Sequence, residues 1–341
     1  MITVKDSKRF KVLNSENYNF VFDKVTGEFR RWGKTKEEDP QMGLPEIADI
    51  EISTICSGPD GVPCKFCYKG NTKIGTYMTI ETFTKIIEKL PKSVTQIAFG
   101  ADATGESNPD MWKIMALCRE KGIVPNITIA NISDETADNL AKYCGAVAVS
   151  RYSNKDWCYD SVKKLTDRGM NQINIHQLIS EETYEQVLET ISDMKSDSRL
   201  EKMNAIVFLS LKQKGRGTKY NPLAFDKFKS IIDFSMDAKI NFGFDSCSAN
   251  KFLLAVKDTA AYKQFEISAE PCESSLFSTY IDVDGKFHPC SFSPNTDLWG
   301  EEGIDVASCN DFLKDIWFNE KTAKFREALL QGHRNCPFYK I

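Results

Sequence analysis

From about residue 46 the chain alternates six times between a short apolar stretch and a longer amphipathic one, and this rhythm limits the fold more than any other feature. The short stretches, 48–54, 95–100, 125–131, 146–151, 172–178 and 204–211, have the length of strands. The longer ones carry helix-start signals. Thr79 precedes Ile80, Phe83, Ile86, Ile87 and Leu90, which share one helical face, and Asn108-Pro109, Ser133, Ser180 and Asn221-Pro222 repeat the pattern. Six such units predict an α/β fold built on a parallel sheet or barrel. Within the strands, Ile50 and Ile52 alternate with Asp49, Glu51 and Ser53. Ile127 and Ile129 alternate with Asn126 and Thr128, and Ile173 and Ile175 with Gln172, Asn174 and His176. A closed eight-stranded barrel fills its interior with branched apolar side chains, so its strands are apolar on both faces. One polar face therefore predicts a partial barrel whose concave side holds a polar ligand. An antiparallel sheet with one wet face would alternate in the same way; the intervening helices favour the barrel.

The flanks differ from this middle. In residues 1–45 a hairpin is signalled by Tyr18–Phe22 and Glu28–Trp32 around Asp23–Gly27, which predicts an N-terminal β-ribbon. The barrel is assigned to 46–236. Beyond it, a hairpin signal at Tyr280–Phe287 and two terminal helices near 310–318 and 320–331 predict a small α+β domain over 237–341. A length of 341 residues suits about two domains of about 150 residues each. The net charge of −4 leaves no basic excess for nucleic acid, and no leader-like or 18-residue apolar run points to secretion or a membrane. A cytoplasmic protein without membrane or nucleic-acid partners is expected.

Eleven cysteines, an odd number, cannot all pair as disulfides within one chain and point to metal or redox chemistry. Three fall on the loop after the first barrel strand, as Cys56-x7-Cys64-x2-Cys67. Such loops, at the carboxyl ends of strands, are where α/β folds place their chemistry. A structural zinc site would want a fourth Cys or His nearby. A [4Fe–4S] cluster held by three thiolates, with one iron left open, fits better.

Here the chain resembles the radical S-adenosylmethionine (SAM) superfamily, whose members carry three cysteines on the corresponding loop of a partial (β/α)6 TIM-like barrel, with an aromatic residue before the third. Phe66 holds that place. The resemblance implies that Cys56, Cys64 and Cys67 bind a [4Fe–4S] cluster. The open iron would chelate SAM, which reduction would cleave to a 5′-deoxyadenosyl radical. The gap between Cys56 and Cys64 is longer than the family's usual first spacing. Where many members have Gly-Gly-Glu-Pro to hold the SAM amino group, this chain has Gly100-Ala101-Asp102-Ala103, so Asp102 would act, with Glu106 as a competitor. Thr128, Asn131 and Ser150 are ribose or carboxylate contacts by position. His176 is a contact to adenosine or substrate and a candidate catalytic residue.

The segment Cys272-x12-Gly285-x4-Cys290 is similar to the opening of the SPASM and twitch domains of radical SAM maturases. That likeness implies one auxiliary [4Fe–4S] cluster completed by Cys247 and Cys336. Cys309 could replace either, or stand by as a free thiol and hydrogen donor. Cys118, Cys144 and Cys158 have no partner spacing and are expected in the core. Lys212, Lys214 and Arg216, after the sixth strand, are expected either to bind a carboxylate or to form a solvated basic loop. The implied activity is hydrogen abstraction from a peptide or protein, giving a crosslink or an oxidised side chain. A flavodoxin or ferredoxin would be the electron donor. The alternatives are a radical SAM dehydrogenase or cyclase for a small molecule, and a non-catalytic zinc-binding module.

Overall fold

The computed structural model describes residues 2–341. Seven parallel strands form the centre: β5 (Ile47–Glu51), β6 (Gln96–Gly100), β7 (Val124–Ile129), β8 (Ala146–Ser150), β9 (Ile173–Ile179), β10 (Ala205–Ser210) and β11 (Phe242–Phe244). They lie side by side in chain order. The helices α1 (Ile80–Lys89), α2 (Met111–Glu120), α3 (Asp134–Tyr143), α4 (Lys155–Asp167), α5 (Tyr184–Ser196) and α6 (Phe225–Asp237) fill the crossovers. The two ends of this sheet are different strands, so the barrel does not close. This is the partial α/β barrel that the one-sided polarity predicts.

Local chemistry sets the helix starts. The Thr79 side chain accepts a hydrogen bond from the amide of Thr82 and opens α1, and Ser133 does the same for α3 through Thr136. Phe83, Ile86 and Ile87 of α1 are buried against the sheet, each contributing about 1.5–3 kcal/mol by removal from water. Asn108 does more than the helix-start role expected of it. It is buried, its Nδ2 donates to the carbonyls of Ile52 (2.7 Å) and Met78 (2.9 Å), and its Oδ1 accepts from the amide of Asp110 (2.8 Å). It therefore pins the exit of β5 to the entry of α1.

The N-terminal part is a full antiparallel sheet rather than a lone ribbon: β1 (Thr3–Asp6), β2 (Phe10–Asn14), β3 (Asn19–Asp23) and β4 (Phe29–Trp32), in that order. It docks through buried polar groups. Lys11 Nζ donates to the carbonyl of Val94 at 2.6 Å, and the Tyr18 hydroxyl donates to Glu46 at 2.6 Å.

The C-terminal part is continuous with the barrel. After α7 (Ala249–Val256) and α8 (Tyr262–Ser268), β12 (Ser278–Ile281) pairs in parallel with β5, and β13 (Lys286–His288) and β14 (Ile304–Asp305) follow antiparallel. The sheet thus runs to ten strands and crosses the expected boundary near 236, because β11 and the hairpin both add to barrel edges. The helix expected at 310–318 is a π-helical turn, Leu313–Trp317, before α9 (Glu320–Gln331). Trp317 is fully buried and its Nε1 donates to the carbonyl of Gly43 at 3.2 Å. Among the described residues no helix is long and apolar enough to cross a membrane.

Candidate functional site

The loop leaving β5 turns back on itself before reaching its second cysteine. Gly58 has φ +74°, and a Cβ there would lie 1.9 Å from the carbonyl oxygen of Val62, so only glycine fits. The longer first spacing is taken up by this curl, with Asp60 accepting from the amide of Val62 at 3.0 Å. Cys56, Cys64 and Cys67 are all partly exposed. Burial pushes the Cys64 thiol up, a hydrogen bond from Tyr152 pulls it down, and the charges of Cys56 and Cys67 push it up again. Cys64 therefore lies close enough to both other sulfurs to feel their charge. Phe66 stacks on Tyr152 with centroids 5.6 Å apart, and Asn131 Nδ2 reaches the carbonyl of Pro59 at 3.3 Å. Tyr152 is not legible in the sequence as a site residue; its one signal is an aromatic two residues beyond the end of β8.

The open face of the barrel beneath this loop carries the polar strand positions. Thr128 is exposed there and sits opposite Ala148, while Ser150 sits opposite His176 in register. Burial pushes His176 down to about 4, against a weaker upward pull from Asp245, so its imidazole is neutral at pH 7. The face is not polar throughout. Strand β10 presents Ala205, Val207 and Leu209 to it, which gives the cavity one apolar wall.

Asp49 lies on the same face. Water reaches it, yet the surrounding protein removes enough solvent to push its carboxyl up to about 7, and Glu273 adds to the shift. A carboxyl raised on folding holds its proton longer in the folded state, so stability falls as pH climbs from the unfolded value toward about 7. The Asp49→Asn variant is accordingly expected to show a flatter stability profile between about pH 4 and pH 7. Denaturant titrations at pH 5 and pH 8 check this. An unchanged difference between variant and parent at the two pH values would contradict it.

Asp102 is turned onto its own loop. Its Oδ2 accepts from the amide and hydroxyl of Thr104, and its Oδ1 accepts from the amides of Glu106 and Ser107, each at 3.0 Å. Burial works to raise this carboxyl, but these bonds win and hold it below the usual range. A carboxylate has about four acceptor positions, and all are used within its own loop. An amino group at Asp102 would have to displace or share these bonds. Glu106 is exposed and engages only Oε1, with Thr136 at 3.1 Å and Ser133 at 3.4 Å. Gly100 ends β6 opposite Glu51, where a Cβ would meet only ordinary contacts, so bulk alone does not demand glycine.

The second set of cysteines gathers beside the hairpin. Cys247 and Cys336 are close enough to share a proton, which pushes Cys247 up and Cys336 down, and the Lys212 ammonium favours the thiolate of both. Burial raises Cys272 and Cys290, the latter to about 12, and each also feels Cys336. Cys309 lies elsewhere. The charges it feels most are those of Lys89, Asp315, Asp311 and Asp305, whereas Cys247, Cys272 and Cys290 each feel Cys336 or one another. The buried thiols of Cys144 and Cys158 contact Met115 Sδ (3.8 Å) and the carbonyl of Val149 (3.7 Å), as core side chains do. Lys212, Lys214 and Arg216 are neither a carboxylate trap nor a solvated loop, because all three are engaged by the protein itself. Among the described residues no three or more His, Cys, Asp or Glu converge tightly enough for a single metal ion. The donor chemistry suits a cluster, in which each thiolate meets a different iron.

Comparison with solved structures adds a fold match. Streptococcus suis SuiB bound to S-adenosylmethionine aligns with a TM-score of 0.59 and 15% identity, over 83% of this chain and 66% of that one. The two share a fold. BtrN in complex with AdoMet and 2-DOIA aligns with a TM-score of 0.44 and 13% identity, over 86% of this chain and 89% of that one. No family model and no curated protein matches the chain. This chain thus spans just under two thirds of SuiB's length, on the same partial barrel.

Proposed function

We propose that this protein is a radical SAM enzyme. The observation that carries the reading is the placement of Cys56, Cys64 and Cys67. They are three partly exposed thiols on the loop after the first strand of an open, polar-lined barrel, with Cys64 feeling the charge of the other two. These residues fit a [4Fe–4S] cluster with one iron left open. When bound, it would supply the electron that cleaves SAM to methionine and a 5′-deoxyadenosyl radical. The SAM bound to SuiB, on a shared fold, supports the same ligand here. Tyr152 would donate its hydrogen bond to the Cys64 sulfur, and Phe66 would hold Tyr152 in place by stacking. Thr128, Ser150 and neutral His176 would line the cavity with donors and acceptors for the nucleoside. Glu106, with an oxygen to spare, takes over the role expected of Asp102 toward the SAM amino group.

Cys247, Cys272, Cys290 and Cys336 would hold an auxiliary [4Fe–4S] cluster, with the buried Lys212 charge offsetting its negative charge. By resemblance to maturases with such a domain, the substrate is a peptide or protein. The test is anaerobic reconstitution with iron and sulfide, followed by SAM and dithionite. The expected result is 5′-deoxyadenosine together with charge-transfer absorbance from two clusters. A fully iron-loaded protein that yields no 5′-deoxyadenosine would sink the reading. Stoichiometric zinc without that absorbance would favour a binding module.

A further inference from the structure

The segment Leu211–Gly217 touches both cysteine sets with successive basic residues. Arg216 serves the first set: its Nε donates to the carbonyl of Cys64 (2.7 Å), its Nη2 to that of Asn71 (2.9 Å), and its amide to that of Cys67 (3.0 Å). Lys214 serves the second: its Nζ donates to the carbonyls of Phe292 (3.1 Å) and Pro294 (3.0 Å), just beyond Cys290. Lys212 is buried and paired with Asp245, two residues before Cys247, and its Nζ lies 5.3 Å from the Phe292 ring. Gly215 lets the segment approach this closely. It has φ +55°, and a Cβ there would fall 2.4 Å from the carbonyl oxygen of Tyr68 and 2.8 Å from that of Cys67. The two cysteine loops also meet directly, since the Tyr68 and Phe292 rings lie 4.4 Å apart.

We propose that Leu211–Gly217 is a strap that couples the two cysteine centres, with Lys214 and Arg216 as positioning residues that make loading of one centre depend on the shape of the other. The proposal rests on reading both cysteine sets as cluster sites. A short segment whose side chains fix main-chain carbonyls on two loops transmits a displacement of either loop to the other. Coupling between sites is carried by chains of hydrogen bonds and packed side chains, and this segment supplies such a chain between the two loops.

The test uses the full chain, reconstituted anaerobically, with Lys214→Met, Arg216→Met and the conservative Arg216→Lys. Iron per chain, the EPR spectra of the reduced centres and the rate of iron loss to a chelator are measured. A Cys272→Ala/Cys290→Ala protein provides the reference spectrum of the first centre. The hydrogen bonds of the Lys214 ammonium go to the loop of the second centre alone, yet Lys214→Met is expected to alter the spectrum of the first and to speed its iron loss about fivefold or more, the low end of typical coupling between sites. Arg216→Met is expected to act in the reverse direction, and Arg216→Lys to recover part of the loss. If each substitution disturbs only the centre it touches, the strap is refuted while the cluster reading stands. If the unmodified protein forms no iron–sulfur absorbance, both fall. Should Lys214→Met fail to fold, Lys214→Gln carries the same comparison.

Discussion

Replacing Cys64 by alanine is expected to abolish 5′-deoxyadenosine formation and to remove about half of the iron, since each cubane holds four irons. Cys64 is the thiol that senses both Cys56 and Cys67 and takes the Tyr152 hydrogen bond. Two remaining thiols cannot keep a three-legged cluster in place, and no nearby side chain substitutes for the third. The auxiliary set is made from separate segments and should keep its iron. Cys309→Ala is the control, because the charges that thiol feels most are those of Lys89 and three aspartates. Iron analysis and product assay of the two variants together check the assignment. Equal loss of activity in both would remove the distinction between ligand and bystander.

The second large effect concerns stability. Arg31→Leu is expected to destabilise the fold by about 3–5 kcal/mol, the usual cost of stranding buried carboxylates. Arg31 is the joint of the molecule. Its side chain is 8% exposed, with Nη1 at 2.9 Å from Glu46 and 3.4 Å from Glu273 and Nη2 bonded to Glu270. The guanidinium lies 3.6 Å from the Phe277 ring centroid. It thereby ties the N-terminal sheet to the start of β5 and to the chain entering β12. Burial pushes Glu46 up to about 8 even with Arg31 beside it. A carboxyl raised in the folded state favours folding at low pH, and that contribution is lost as pH rises through the folded value. Without the guanidinium the carboxylates are harder still to ionise. The deficit of Arg31→Leu should therefore be larger at pH 8 than at pH 5.5. Denaturant unfolding at the two pH values measures this, and a deficit independent of pH would show that packing on Phe277 dominates.

How much of the fold is legible in the sequence follows from which forces leave a periodic trace. Burial on one face only marks β5, β7 and β9 by alternation, so the open barrel shows in the order of residues alone. Strand β1 is almost wholly exposed and reads Thr-Val-Lys-Asp, so its pairing with β2 leaves no apolar pattern to find. Strand β11 is three residues long, too short to show a period. The cysteine sets are visible through spacing, whereas the bonds that engage Asp102 are not, because a motif position says nothing about where a carboxylate points. The short side chain of Asp102 turns onto four donors of its own loop; the longer one of Glu106 reaches Thr136 and Ser133 through Oε1 alone. Lys212, Lys214 and Arg216 read as a basic loop, and only the fold shows the carbonyls and the carboxylate that absorb their charge.

The pairing of β12 with β5 also bears on how the chain folds. Ser278 and Ile47 are roughly 230 residues apart in sequence yet neighbours in register. Closing so long a loop is slow, and such contacts form late. Until the C-terminal third has arrived, the strand that leads into the Cys56–Cys67 loop has an unpaired edge, open to mispairing with other chains. Completion of the first cysteine centre and burial of the barrel's vulnerable edge are thus tied to the same late event in synthesis.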